Sequence, residues 1–316
     1  MLNKFFKAKH RFPIWNHNWQ PVKYNFVKDN LSVSDLSETG FKIIKSDKID
    51  FDLLTKIFTN NHNMLNHDGG MFYSVYSDNL EYRARVHEKL GECLSPLFEN
   101  LFKDYKVVLN SFVIKNKGEG SEFKIHQDST GLNEWEYSPL NVWIPLSDVD
   151  ETNGCLHLIP SSHKWASPYR GISILPNYQN VVTDLLPYFK PIRLKKGEIL
   201  LFDNRIIHTS SANNSDFDRV VSMSGVFPTQ AKLYSCHKEE DKAKIEIYLQ
   251  DDDFLIKNKQ FYNNCHTRPS LGKMVKKINQ PSFNINHSQI QKLTAELKKY
   301  PNSITDNHTN FITEPF

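Results

Sequence analysis

The chain has 316 residues, 39% hydrophobic and 24% charged, the balance of a soluble globular protein rather than a disordered or fibrous one. No apolar run reaches the eighteen residues that a membrane helix requires, and a net charge of +3 is too small to point to nucleic acid. Four scattered cysteines (Cys93, Cys155, Cys236 and Cys265), with no CxxC pair, read as reduced thiols in a cytoplasmic protein.

Met1 to Lys28 carries six basic residues and no acid. No apolar core follows, as a signal peptide would need, so residues 1–35 read as a basic, aromatic arm packed on the domain through Phe12, Trp15 and Trp19. Gly40–Ile44 predicts a strand. Asp50–Asn60 spaces apolar residues along one face of a short helix, with Asp50 as its cap. Asn79–Phe102 predicts an amphipathic helix broken at Gly91 and Pro96, on which His87 is a solvated or satisfied helix residue and not a ligand. Val107–Lys115 is a strand and Asn116–Gly120 a glycine-bearing loop.

Ser129–Pro139, with Trp135 and Tyr137, is either a lid over the site or an ordinary surface loop. Asn141–Leu146 and Cys155–Ile159 are strands joined by the acidic turn Ser147–Gly154, which lacks the glycine and terminal glutamate of a calcium loop. His157 alternates with Cys155 and Ile159 and reads as a core histidine. Ile174–Lys190, interrupted by prolines, is a partly helical insertion of the kind that sets substrate choice, and Glu198–Phe202 is a strand.

Beyond Pro228 the pattern weakens. The charged stretch from His237 to Lys244 has helical character, which keeps His237 and Glu239 off one face. Asp251-Asp252-Asp253 is a solvated turn, and Cys265-His266 lacks a partner pair for zinc. His287–Tyr300 is an amphipathic helix in a C-terminal tail spanning 276–316, after a main domain of 36–275.

The chemistry-bearing residues lie between Lys115 and Pro228. On a strand, His126 and Asp128 of His126-Gln127-Asp128 share one face, and His208 can supply a third ligand. Two histidines and one carboxylate on one side of an ion leave positions open, the arrangement of non-haem Fe(II) oxygenases. The bland alternative is a surface histidine beside a loop aspartate. The apolar runs Ile206–Ser211 and Arg219–Val226 flank a cluster of turn formers, Ala212–Asp216. A hairpin there would set His208 and Arg219 nearly opposite, with Cβ atoms about 5 Å apart. The Arg219 fork could then hold the far carboxylate of a diacid that chelates the metal, and Ser210, on the His208 face, could donate a further hydrogen bond.

Three segments, Phe123–Asp128 (FKIHQD), Asn141–His163 (NVWIPLSDVDETNGCLHLIPSSH) and Lys196–Phe202 (KGEILLF), resemble the phytanoyl-CoA dioxygenase family over roughly residues 36–228. The resemblance implies a mainly β fold with flanking helices around a double-stranded β-helix, the jelly-roll or cupin-like core. It implies Fe(II) held by His126, Asp128 and His208, 2-oxoglutarate anchored by Arg219, and O2 as the oxidant. The expected activity is hydroxylation of an unactivated C–H bond, with release of succinate and CO2. The substrate would be a small molecule: an amino acid, a specialised metabolite, or an acyl group linked to a carrier or CoA. Related halogenases have a small residue where Asp128 stands, so its presence favours hydroxylation. A non-catalytic metal- or ligand-binding β-helix is the other function class, and neither nucleic acid nor membrane is expected as a partner.

Overall fold

The computed structural model describes residues 24–280, apart from 29, 30, 32, 63–69, 119, 166, 168, 240–242 and 259–266, and also residue 290. The aromatic residues 12, 15 and 19, the Cys265-His266 pair and the helix expected over 287–300 therefore lie outside the described residues, residue 290 aside.

In chain order the elements are α1 (Ser34–Thr39), β1 (Phe41–Lys45), α2 (Phe51–His62), β2 (Met71–Tyr73), α3 (Leu80–Leu101), β3 (Tyr105–Lys115) and β4 (Phe123–His126). They continue with β5 (Leu140–Pro145), β6 (Leu156–Leu158), α4 (Val182–Leu185), β7 (Lys190–Ile192), β8 (Glu198–Asp203) and β9 (His208–Ser210). Last come β10 (Arg219–Pro228), β11 (Leu233–Lys238), β12 (Lys244–Gln250), α5 (Phe254–Lys257) and β13 (Lys273–Asn279). A six-stranded sheet runs β1-β8-β5-β10-β3-β2 and a four-stranded sheet β4-β9-β6-β7; β11-β12-β13 form a separate sheet. From β4 to β10 the chain passes back and forth between the two larger sheets, which is the winding of a double-stranded β-helix.

The central strands of the larger sheet are buried along most of their length, with apolar residues on both faces, because both faces are covered. Phe112, Ile114, Val142, Ile144, Ile199 and Leu201 pack with Leu90, Leu94 and Phe98 of α3. Their neighbours Val113, Trp143, Leu200, Phe202 and Val221 turn inward and meet Leu158 and Ile192 of the smaller sheet. The outer face of that smaller sheet is covered by Trp165, Tyr178, Val181, Val182, Leu185 and Phe189, packed on Ile125, Ile159 and Ile207. The segment over 174–190 is partly helical, as expected, and Tyr24, Phe26 and Val27 join the core beneath α3.

Two expectations are corrected. Helix α3 runs unbroken through Gly91 and Pro96. Its buried stripe against the sheet outweighs local propensity, and the Ser95 hydroxyl donates to Glu92 O at 3.2 Å, occupying the carbonyl that Pro96 has no N–H to reach. Of the stretch expected to be helical, His237 and Lys238 end β11 and Lys244 begins β12, an antiparallel pair, while residues 240–242 lie outside the described ones. Alternate residues there turn inward to Ile174 and Ile278, so burial selects the strand.

Candidate active site

The inner surface of the β-helix encloses a cavity of about 660 Å³, lined among others by His126, Asp128, Asn141, Trp143, His208, Ser210 and Arg219. His126 ends β4 and His208 begins β9, and the two are direct partners across that antiparallel pair. A bulge between Phe123 and His126 re-aims the end of β4. Asp128 lies just past the strand, where its N–H donates to Asn204 O at 3.0 Å.

Both imidazoles are set by the backbone. His126 Nδ1 is 2.8 Å from Lys124 O, and His208 Nδ1 is 3.0 Å from Ile206 O. A carbonyl at Nδ1 fixes the proton there and leaves Nε2 as the ligand atom. These Nε2 atoms stand 3.7 and 3.9 Å from Asp128 Oδ1, and the three donor atoms all fall within 4.8 Å of one another. The Asn141 amide donates to Asp128 Oδ2 at 2.7 Å, which directs Oδ1 to the rings.

Burial would push the Asp128 carboxyl up, but hydrogen bonding and charge from His126, the charge of His208 and the Asn141 amide bring it down to about 2. Burial, followed by the neighbouring His126 charge, brings His208 down to about 4. Near pH 7 the carboxylate is therefore ionised and the His208 ring neutral, the forms that bind a metal.

Arg219 is brought to the same cavity by a route the hairpin expectation missed. Strand β9 pairs with β4 and β6, whereas β10 pairs with β3 and β5, so His208 and Arg219 are not cross-strand neighbours. The turn formers at 212–216 carry the chain from one sheet to the other, and Arg219 lines the same cavity as His126, Asp128 and His208 from across the β-helix. Its guanidinium is 1% exposed, donates to Gly154 O at 2.8 Å and lies 5.2 Å from the centre of the Trp143 ring. Nε has no hydrogen-bond partner, and among the described residues no carboxylate pairs with this cation. Burial pulls its pKa down to about 10. A buried guanidinium without a counter-ion favours an anionic ligand.

Other residues at the site were not singled out from the sequence. Asn141 and Trp143 could have been, since they alternate along β5 onto its inward face. Arg170 could not. Its guanidinium pairs with both oxygens of Glu134 at 2.7 Å and donates to Asp128 O at 2.8 Å, pinning the loop expected as a lid to the ligand-bearing segment. His157 is fully buried and outside the metal cluster, and His87 Nδ1 accepts from Asn110 N at 3.0 Å, in line with the readings made of them. Asp251, Asp252 and Asp253 are exposed.

Fold and donor set together define a double-stranded β-helix protein with two imidazoles and one carboxylate gathered in its cavity beside a buried arginine. The chain belongs to the phytanoyl-CoA dioxygenase (PhyH) family, whose model matches residues 40–221. It is 34% identical over 133 residues to "Phytanoyl-CoA dioxygenase 1" of Oryza sativa subsp. japonica, an overlap of 41% of this chain and 47% of that one. Identity is 30% over 155 residues to "Phytanoyl-CoA dioxygenase domain-containing protein 1" of Danio rerio, covering 45% and 53%. The chain spans about half the length of these curated relatives. Among solved structures it is similar to EctD from S. alaskensis with bound Fe, at 16% identity and a TM-score of 0.47 over 68% of this chain and 85% of that one. Similarity to HygX from Streptomyces hygroscopicus with nickel and 2-oxoglutarate bound is at 16% identity and a TM-score of 0.45, over 67% and 92%. No helix among the described residues is long and apolar enough to cross a membrane.

Proposed function

We propose that this chain is an Fe(II)- and 2-oxoglutarate-dependent dioxygenase that hydroxylates an unactivated C–H bond of a small molecule. The observation that carries the reading is the convergence of His126, Asp128 and His208 within 4.8 Å, in one cavity with the Arg219 guanidinium, which no carboxylate among the described residues pairs with. The donors, two imidazole nitrogens and one ionised oxygen, fit Fe(II), and the buried cation fits the far carboxylate of 2-oxoglutarate. Bound there, iron with its keto-acid and O2 supplies the oxidising power. The chain's own residues do the rest. Lys124 O and Ile206 O hold the rings, Asn141 orients the carboxylate, and the apolar walls limit water at the reacting carbon.

Among the described residues that line the cavity, Asp128 is the one carboxylate, and a metal would occupy it. Arg170 is already matched by Glu134. A substrate bearing an ammonium group would lose hydration without gaining a counter-charge. That favours an apolar acyl group, free or thioester-bound, over a free amino acid. Met71, Val108, Leu109, Phe227, Phe254 and Leu255 supply the apolar wall.

The test is succinate release from 2-oxoglutarate with and without Fe(II), screened with acyl thioesters, free acids and amino acids. Release should require iron and rise most with an acyl compound, and no iron-dependent release with any substrate would overturn the reading. Arg219→Ala should raise the KM for 2-oxoglutarate by about a hundredfold, the worth of a charged hydrogen-bonded contact, and leave iron affinity unchanged. Arg219→Lys, which keeps the charge and loses the fork, should fall between.

A further inference from the structure

Behind Ser210, out of the cavity, lies a second buried basic side chain. Lys115 closes β3 as the direct register partner of Arg219 and is 0% exposed. Its Nζ donates to Ser210 Oγ at 2.8 Å and to Ser211 O. Among the described residues no carboxylate forms an ion pair with it. The space for its stem exists because residue 154 is glycine. A Cβ there would sit 2.7 Å from Lys115 Cδ and 2.6 Å from Ser211 O, on a backbone with φ +76°. Gly154 O in turn receives Arg219 Nη1, so one glycine seats both basic side chains.

We propose that Lys115 is a positioning residue for the keto-acid: it donates to Ser210 Oγ and thereby turns the Ser210 hydroxyl proton toward the cavity, where the carboxylate held by Arg219 would accept it. The inference rests on the reading of this cavity as a 2-oxoglutarate site. A serine hydroxyl has one proton and two acceptor positions. With an N–H from Lys115 filling one acceptor position, the proton is available to an anion on the other side. In the absence of Lys115 the same hydroxyl could instead donate to a neighbouring carbonyl.

Charge adds to orientation. Burial, then the facing Arg219 on β10, brings Lys115 down to about 6, while Cys155 ahead of β6 and Glu122 ahead of β4 act weakly in the opposite sense. His157 on β6 also faces it. At pH 8 the amine is therefore mostly uncharged in the ligand-free protein. A carboxylate placed beside Ser210 favours the ammonium form, so binding draws one proton from solvent onto Lys115 Nζ.

The experiment titrates the Fe(II)-loaded full chain with 2-oxoglutarate under anaerobic conditions, by calorimetry at pH 8 in two buffers of different ionisation enthalpy. The wild type should bind with net proton uptake. Lys115→Met should bind about tenfold more weakly or worse, the scale of one charge-assisted hydrogen bond, without that uptake and with unchanged Fe(II) affinity. Ser210→Ala should weaken binding too, and the double variant should be no weaker than the worse single one, because the two residues act as one unit. Equal binding by Lys115→Met, or multiplying effects of the two substitutions, would overturn the proposal. Should Lys115→Met not fold, absence of proton uptake by the wild type overturns it. A wild type that fails to bind 2-oxoglutarate at all instead sinks the reading of the cavity itself.

Discussion

Asp128→Ala is expected to reduce iron-dependent succinate formation to background. Its Oδ1 is the atom both Nε2 nitrogens approach, at 3.7 and 3.9 Å, and no other carboxylate among the described residues lines the cavity to replace it. Two imidazoles alone leave a divalent ion one anionic ligand short. The graded control is Asn141→Ala, which keeps all three donors but frees Asp128 Oδ2 from its amide at 2.7 Å. Loss of such an orienting partner costs roughly 10- to 100-fold in metal affinity or activity. Iron binding measured directly, beside turnover, separates the two variants. Succinate formation by Asp128→Ala at the wild-type rate would contradict the metal assignment.

The largest effect on stability should come from Asp203→Ala. Asp203 and Arg205 are both fully buried. The carboxylate accepts from Arg205 N at 2.8 Å, Arg205 Nε at 2.7 Å and Tyr24 Oη at 2.7 Å, and Arg205 Nη2 also donates to Ser138 at 2.9 Å. Burial would raise the Asp203 carboxyl, yet the Arg205 charge and these hydrogen bonds hold it below its ordinary value. Removing the acid strands a buried guanidinium, at a cost of about 3–5 kcal/mol, read as a lower midpoint in urea unfolding of the full chain. The carboxylate must be ionised for this contribution, so it is present above the unfolded-state pKa near 4 and lost as the pH falls through the lower folded value. An unchanged midpoint would show that the pair carries no such weight.

Much of this architecture is written in local pattern. Strands β3, β5 and β8 were legible because a mostly apolar run covered on both faces needs no alternation, and the convergence of His126, Asp128 and His208 was legible because few residue types suit a metal in that pattern. What could not be read was how strands pair. His208 and Arg219 are joined by a turn that looks like a hairpin, and only the closing of two sheets over one core decides that they face each other instead. Pro96 misled for a related reason, since the Ser95 hydroxyl and the packing of α3 repair what proline takes away. Lys115 escaped notice because a lysine ending a strand is ordinarily solvated, and its burial follows from Gly154, some forty residues away. Arg170 stands in a loop whose sequence gives no sign that Glu134 will meet it.

With His126, Asp128 and His208 gathered at one sheet and Arg219 on the other, the proposed site makes the gap between two stacked sheets, typically ~10 Å, a ruler for diacid length. Neither sheet can slide without disturbing the core they share, so on the proposed reading a keto-diacid bridging them has one tolerated span, that of the five-carbon backbone of 2-oxoglutarate. Oxaloacetate, a carbon shorter, should fall short of the guanidinium, and 2-oxoadipate, a carbon longer, should buckle against Trp143. Each misfit is worth about 1–3 kcal/mol of discrimination per methylene, set by backbone spacing and not by any recognition loop.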